Sequence, residues 1–471
     1  MRKAAGLLPL LAAACAVGPN YQPPQTLPPA AGAFQTVVPD TSTAEPADRW
    51  WRLYDDPVLD RLIERALAAN TDLRAARANL LRAQAALRET RSGLRPGGDV
   101  TGGTNYGNSR GGSGGNSGEG GGKTQWSYTG SVSVGWEIDL FGRIGRSIEA
   151  ARGDAGAVAA ARDRVALTVA AETARSYVDA CALAGAIAVA EESAALAGRE
   201  LAIQQARERA GAGSRLDTER SATALANVRA MLPTLEGQRR SSLFELAALL
   251  GATPAEVPEE ARSCARTPAL VVAIPVGDGR GLLARRPDVR EAERKLAAET
   301  ARIGVATAEL YPSISLGGSG NFFRNDSVRG SDSLSFSFGP LISWNWGGLF
   351  AGRTRVRQAE ASAQAALAMF DGTVLTALKE VEQALSLYAA EGERNVRLRE
   401  AVTHADAAYR LADRRYRAGS IAFLDLLQAQ NDLLAARGTL AGADQRLGSL
   451  RVDVFKALGG GWSEPAQPSA S

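Results

Sequence analysis

A chain of 471 residues, 45% hydrophobic and 22% charged, has room for two or three ordinary domains. Its formal net charge is only +3, and smaller still once Arg2 and Lys3 are set aside with a leader, so charge makes no case for a nucleic-acid partner. No stretch approaches the ~18–20 uninterrupted apolar residues of a spanning helix, so any entry into a membrane takes another route.

At the N-terminus, Arg2 and Lys3 precede an apolar run from Ala4 to Ala14, and small residues lead to Cys15. This is the layout of a bacterial secretory leader over residues 1–14. A Cys directly after three alanines resembles a lipoprotein cleavage site, which makes Cys15 a lipid-bearing, palmitoylated first residue. Ala12 stands where the usual Leu is found, with Leu11 one place further back, and ordinary cleavage after an A-x-A sequence is the alternative. Ala16, rather than Asp, after the Cys fits sorting to the outer membrane. One such lipid anchors a protein but does not make a pore.

Past the leader, the two halves superimpose. A shift of 216 places matches Asp72 to Asp288, Arg74 to Arg290, Leu80 to Leu296, Leu94 to Leu310 and Pro96 to Pro312. A shift of 208 matches Ala151 to Ala359, Gly211 to Gly419, Leu216 to Leu424, Asp217 to Asp425 and Gly251 to Gly459. The difference falls between Pro96 and Ala151, where the first copy carries an extra-long Gly/Ser/Asn loop. Each copy reads helix, two strands, very long helix, tip, helix, and a repeat of this size argues for one elongated architecture.

Four short segments alternate with period two. From Tyr128 to Leu140, Tyr128, Val132, Val134, Trp136 and Ile138 share one face and Thr129, Ser131, Ser133 and Glu137 the other. Ile314, Leu316 and Phe322 oppose Ser313, Ser315, Ser319 and Asn321, and Leu334, Phe336, Phe338 and Ile342 oppose Ser333, Ser335, Ser337 and Ser343. A weaker strand runs through Val100, Gly102, Thr104 and Tyr106. Such alternation marks half-buried strands. The small polar side suits a water-filled lumen, and the apolar side, with Trp126, Tyr128, Trp344 and Trp346 near segment ends, suits lipid. Four strands cannot close a barrel, and bare strand edges are not tolerated in lipid, so several chains must pool their hairpins. The loops 107–125 and 324–331 are polar and Gly-rich, as loops outside the cell are.

Proline-free helical runs follow at 143–210 and 350–418, each about 100 Å long at ~1.5 Å per residue. The second carries a heptad seam at Val374, Leu378, Val381, Leu385 and Tyr388. The first carries Leu167, Ala171, Ala174, Val178 and Cys181, which makes Cys181 a buried inert thiol, with a disulfide to Cys264 the less favoured reading. Matching turns end both runs, at Gly211-Ala212-Gly213-Ser214-Arg215-Leu216-Asp217 and Gly419-Ser420-Ile421-Ala422-Phe423-Leu424-Asp425. Gly is the expected left-handed C-cap, and Asp suits a following first helical turn. That structural account stands beside a functional one, in which the tips form the far mouth of a tube and Asp425 contributes to a ring of charge.

Together these residues resemble the outer-membrane efflux family, the TolC-like and OprM-like channels of Gram-negative bacteria. The resemblance runs from Cys15 to Trp462 and rests on CAVGPNYQPP at 15–24, WWRLYDDPVLDRLIERAL at 50–67, WEIDLFGRIGRSIEAA at 136–151, LLARRPDVREAE at 282–293, IGVATAELYPSISL at 303–316, YRAGSIAFLDLLQAQ at 416–430 and KALGGGW at 456–462. It implies a mixed α and β fold, in which a homotrimer builds a 12-stranded transmembrane β-barrel continuous with a 12-helix periplasmic α-barrel. On that plan residues 15–57 are a lipid-anchored segment with an equatorial region, 58–260 the first repeat (hairpin 98–140, helices 143–210 and 216–250), 261–280 an equatorial linker, 281–462 the second repeat (hairpin 312–346, helices 350–418 and 424–457), and 463–471 a tail.

The resemblance also implies docking to a periplasmic adaptor below an inner-membrane pump of the RND type. Carried over by position, Gly211, Gly213, Ser214, Leu216, Gly419, Ser420 and Leu424 are adaptor-docking tips. Asp217 and Tyr416 match a pair that links tips in the closed state, and Asp425 matches a constriction acid. Gln428 stands where many relatives have a second acid and Ile421 where some have a gate arginine, so Ile421 and Phe423 are expected to hold the gate by apolar contact.

The expected function is a passive exit duct for drugs or other small toxic compounds. The alternatives are a channel for type I protein secretion, built on the same fold, and a periplasmic coiled coil. No cofactor or enzymatic role is expected: His404, the single histidine, sits in an exposed helical pattern, and phosphate-loop and nucleophile-elbow motifs are missing from the sequence. Three Met and one His are also too few soft ligands for a dedicated copper or silver conduit.

Overall fold

The computed structural model describes residues 16–24, 32–36, 38–39, 41–107, 124–270 and 272–460. The leader, Cys15, most of the first hairpin loop and the tail 463–471 lie outside the described residues.

In chain order a two-residue strand β1 (Thr41–Ser42) and a 3-10 turn over Trp50–Tyr54 lead to α1 (Pro57–Ala69) and α2 (Thr71–Ser92). The hairpin β2 (Gly97–Gly107) and β3 (Gln125–Ile138) follows, then α3 (Arg143–Arg209) and α4 (Arg215–Leu249). After α5 (Glu259–Arg262) and β4 (Ile274–Pro275) the pattern recurs as α6 (Gly279–Arg285), α7 (Pro287–Ala308), β5 (Ser313–Arg324), β6 (Leu334–Ser343), α8 (Leu349–Arg417) and α9 (Phe423–Ala457).

Where each copy reads as a single first helix, the structure has two. The breaks fall at Asn70 (ψ 134°) and Arg286 (ψ 122°), which the 216-residue shift superimposes. Asn70 leaves the helix to cap α2, its Oδ1 accepting from the N–H groups of Asp72 and Leu73 at 3.0 Å each. Arg286 precedes Pro287, whose ring disfavours helical backbone at the residue before it.

The chain forms two compact units. One comprises residues 1–24, 80–158 and 292–370 and holds an antiparallel sheet in the order β2-β3-β5-β6. The register joins the two copies through β3 and β5, from Tyr128 opposite Arg324 to Ile138 opposite Ile314. It also keeps like with like across strands. Val100, Val132, Gly320 and Phe336 form one apolar rung, and Asp99, Ser133, Ser319 and Ser337 a polar rung on the other face. The Ser319 and Ser337 hydroxyls lie 2.9 Å apart and those of Thr101 and Ser131 2.8 Å apart. The apolar face is bare within one chain: Phe336 is 90% exposed and Val100 80%. At the foot of the sheet the repeat reproduces one bond, with the indole N–H of Trp136 donating to the Leu94 carbonyl at 3.0 Å and that of Trp344 to the Leu310 carbonyl at 3.2 Å.

The second unit comprises residues 25–79, 159–291 and 371–471. Its core gathers Trp50, Trp51, Tyr54, Leu59, Leu62 and Ile63 with Val452 and Phe455, and the Trp50 and Phe455 rings stack at 4.6 Å. Ala170, Ala171 and Ala174 of α3 are buried there, where small side chains let backbones close up. Across this core Arg286, itself buried, donates to both carboxylate oxygens of Asp288 (2.9 and 2.6 Å), to Glu380 (2.7 Å) and to the Ala457 carbonyl (2.9 Å).

Two readings need correction here. Cys181 is buried as expected but is not a free thiol: it is disulfide-bonded to Cys264, with Cα atoms 5.1 Å apart. The segment after α5 folds back onto α3, a proximity that a separation of 83 residues conceals in the sequence. Second, an 18-residue window of α3 has mean hydropathy 1.5, so by length and composition that helix could cross a membrane even though its apolar run is interrupted. Less than half of that window, 44%, is buried.

Candidate functional site at the helix tips

Both long helices stop in the same way, because Gly supplies the left-handed residue. Gly211 has φ +69° and Gly419 φ +70°. In the first tip the Gly211 N–H donates to the Glu208 carbonyl and the Ala212 N–H to the Arg207 carbonyl, both at 2.9 Å. In the second, Gly419 donates to Tyr416 at 2.9 Å and Ser420 to Arg415 at 3.0 Å. These pairs satisfy carbonyls that a helix end otherwise orphans. The Ser420 hydroxyl adds a bond to the same Arg415 carbonyl at 3.0 Å. Gly213 is needed for space, since a Cβ there would stand 3.0 Å from Arg207 Cβ and Glu208 N.

The following helices start differently. Ser214 caps α4, its hydroxyl accepting from the Leu216 N–H at 3.1 Å. Asp217 is thereby spared and lies 3.6 Å from the Arg220 guanidinium. Ala422, the equivalent of Ser214, offers no side-chain oxygen. Asp425 takes over, accepting from the Ala422 N–H at 3.2 Å. Gln428 donates to Asp432 at 3.1 Å.

Tyr416 is the hub of the second tip. Its hydroxyl accepts from Arg207 at 2.6 Å and from Gln204 at 3.1 Å, and the Arg207 guanidinium sits 5.0 Å from the Tyr416 ring centre. On its other side the ring meets Phe423 at 5.7 Å. Phe423 is buried with Ala224, Leu426 and Leu427, and Ile421 is half-buried beside it in sequence. Leu216 and Leu424 stay 57% and 52% exposed, which leaves an apolar residue at each tip for a partner. So the structure brings Tyr416 to Phe423, Gln204 and Arg207, while Asp217 is paired to Arg220. Sequence reasoning missed Gln204 and Arg207. Their signal was a break in the repeat: Gln204 is replaced by Ala412 and Glu208 by Tyr416 in the second copy, so the tips were never interchangeable.

This arrangement presents turns, caps and ion pairs. Among the described residues, no three His, Cys, Asp or Glu side chains cluster to hold a metal, and His404 is exposed on α8.

Comparison with known proteins agrees in extent. The family described as outer membrane efflux protein matches residues 62–252 and 280–460, one match per repeat. Nodulation protein T of Rhizobium leguminosarum bv. trifolii is 31% identical over 463 residues, covering 97% of each chain. The pyoverdine export outer membrane protein OpmQ of Pseudomonas putida is 30% identical over 469 residues, again with 97% of each chain covered. In structure, the outer-membrane channel OprN superimposes with a TM-score of 0.86 and 34% identity, over 95% of this chain and all of that one.

Proposed function

The chain belongs to the outer membrane efflux protein family, and we propose that it is the passive exit duct of a tripartite efflux system. Three copies pool their sheets into a 12-stranded barrel and their long helices into a 12-helix periplasmic tube. The observation that carries this reading is the sheet itself: one face mostly apolar and largely exposed, the other mostly small and polar, with β2 and β6 each paired on one side only among the described strands. In lipid such edges must be paired, and joining β6 of one copy to β2 of the next removes all of them.

The duct performs no chemistry. An inner-membrane pump of the RND type delivers small toxic compounds through a periplasmic adaptor, and they diffuse out through the lumen. Gly211, Gly213, Ser214, Leu216, Gly419, Ser420 and Leu424 are the adaptor-docking tips. Asp217, Tyr416, Ile421, Phe423, Asp425 and Gln428 form the gate, and Cys15 carries lipid in the outer membrane. Because Tyr416 and Asp425 hold the tips within each chain, an adaptor that prefers the loosened tip shifts the population towards the open state. The mass of the full-length protein in detergent tests this: three chains per particle are expected, and a monomer at all concentrations would contradict it.

A further inference from the structure

We propose that the acyl chain carried by Cys15 lies in an apolar groove on the outer face of this chain's own sheet, which rests on the reading of Cys15 as a lipid-bearing residue. The groove, of about 480 Å³, is walled by Val134, Trp136, Leu316 and Phe338 and floored by Gly318 and Gly320. All of these belong to the apolar face set by the register, with Trp136 opposite Leu316, Val134 opposite Gly318, and Gly318 opposite Phe338. Gly320 is the informative position. A Cβ built there meets nothing within 4 Å, so the sheet leaves room for a side chain and supplies none.

The N-terminal strap delivers its lipid to the foot of this groove. The Val17 N–H donates to the Phe141 carbonyl at 3.2 Å, three residues beyond the end of β3, and the Phe141 ring stacks at 4.7 Å on Tyr311, two residues before β5 begins. Ala16 packs on Gly142, where a Cβ would come within 2.8 Å of the alanine methyl. Arg146, buried and ion-paired to Glu149, fastens the strap by donating to the carbonyls of Val17 (3.2 Å) and Gly18 (3.3 Å) and to Asn20 Oδ1 (2.7 Å). Gly18, at φ +90°, lies against Gly304 so closely that a Cβ would stand 2.5 Å from its Cα.

Cys15 is the residue before this fixed point, and the groove opens one apolar rung above the lowest pair, Ile138 opposite Ile314. From Trp136 to Val132 it follows β3 for roughly 14 Å, at about 3.4 Å per residue. A tethered chain starting beneath it competes for the groove at high effective concentration, which a free phospholipid tail does not.

The test feeds cells a photoreactive, alkyne-bearing palmitate analogue, irradiates the full-length protein in its native membrane, and maps cross-linked peptides by mass spectrometry. The expected result is a cross-link from the N-terminal Cys15 peptide to peptides containing Val134–Trp136 or Leu316–Gly320. Gly320→Leu, which fills the open space, is expected to abolish these cross-links while the Cys15 peptide keeps its lipid mass. A lipidated Cys15 cross-linked only to phospholipid or to other segments overturns the groove and leaves lipidation standing. A Cys15 peptide without lipid overturns both.

Discussion

Asp217 and Asp425 occupy equivalent positions in the two copies, yet only Asp425 caps its helix: it accepts from the Ala422 N–H at 3.2 Å, whereas Ser214 frees Asp217 to pair with Arg220. Asp425→Ala is therefore expected to loosen the first turn of α9 by about 1 kcal/mol, and Ala422→Ser to restore it. Asp217→Ala should leave the first turn of α4 unchanged, because its cap is Ser214. Amide hydrogen exchange at the two tips reads both. Asp425→Asn, which keeps an acceptor and loses the charge, separates capping from cation preference: if conductance and selectivity match wild type, the charged-ring role is wrong.

The bond between Arg207 and the Tyr416 hydroxyl, 2.6 Å long, ties α3 to α8 at the tip. Tyr416→Phe should cost about 1 kcal/mol there, below the usual range for a charged hydrogen bond because the bond is solvent-exposed. Faster hydrogen exchange in the last turn of α8 and a higher open probability are expected. Arg207→Ala should produce the same phenotype, and the double variant little more than either alone.

The Cys181–Cys264 bridge closes a loop with a sequence separation of 83, for which loop entropy alone gives about 4.5 kcal/mol. Thermal unfolding should show a lower Tm for Cys181→Ala/Cys264→Ala. A reductant should lower the wild-type Tm and leave the double variant unmoved.

Much of the fold was legible because its periods are long and unbroken. The helical run read as 350–418 is α8, Leu349–Arg417, and the strand alternation marks the faces that the register assembles. What escaped the sequence depends on distant segments meeting. Cys264 reaches Cys181 only after α5 folds back, and Gln204 and Arg207 find Tyr416 more than 200 residues away. The break at Asn70 was hidden because an Asn within a helical pattern reads as helix until its side chain is seen capping α2.

Acid should expose the clamp at Arg286. Burial works against the charge on Asp288, but the Arg286 guanidinium outweighs it and holds the carboxyl below its ordinary 3.8. A carboxylate with a depressed folded value stabilises fully above its unfolded value and loses that contribution as pH falls through the folded one. The stability gap between wild type and Asp288→Asn should therefore be complete above about pH 4 and close below it. Asp179, pushed up chiefly by burial, carries the opposite sign, so Asn there should relieve a penalty at neutral pH. Arg286→Ala should lower the Tm, since it leaves the half-buried carboxylates of Asp288 and Glu380 without their shared guanidinium.

Single-channel recording in a planar bilayer tests the central claim that the small polar faces of β2, β3, β5 and β6 line water. Full-length protein carrying Arg207→Ala and Tyr416→Phe is expected to give discrete, long-lived conductance steps where wild type opens rarely. A properly folded, membrane-inserted protein that stays electrically silent in both forms would contradict it.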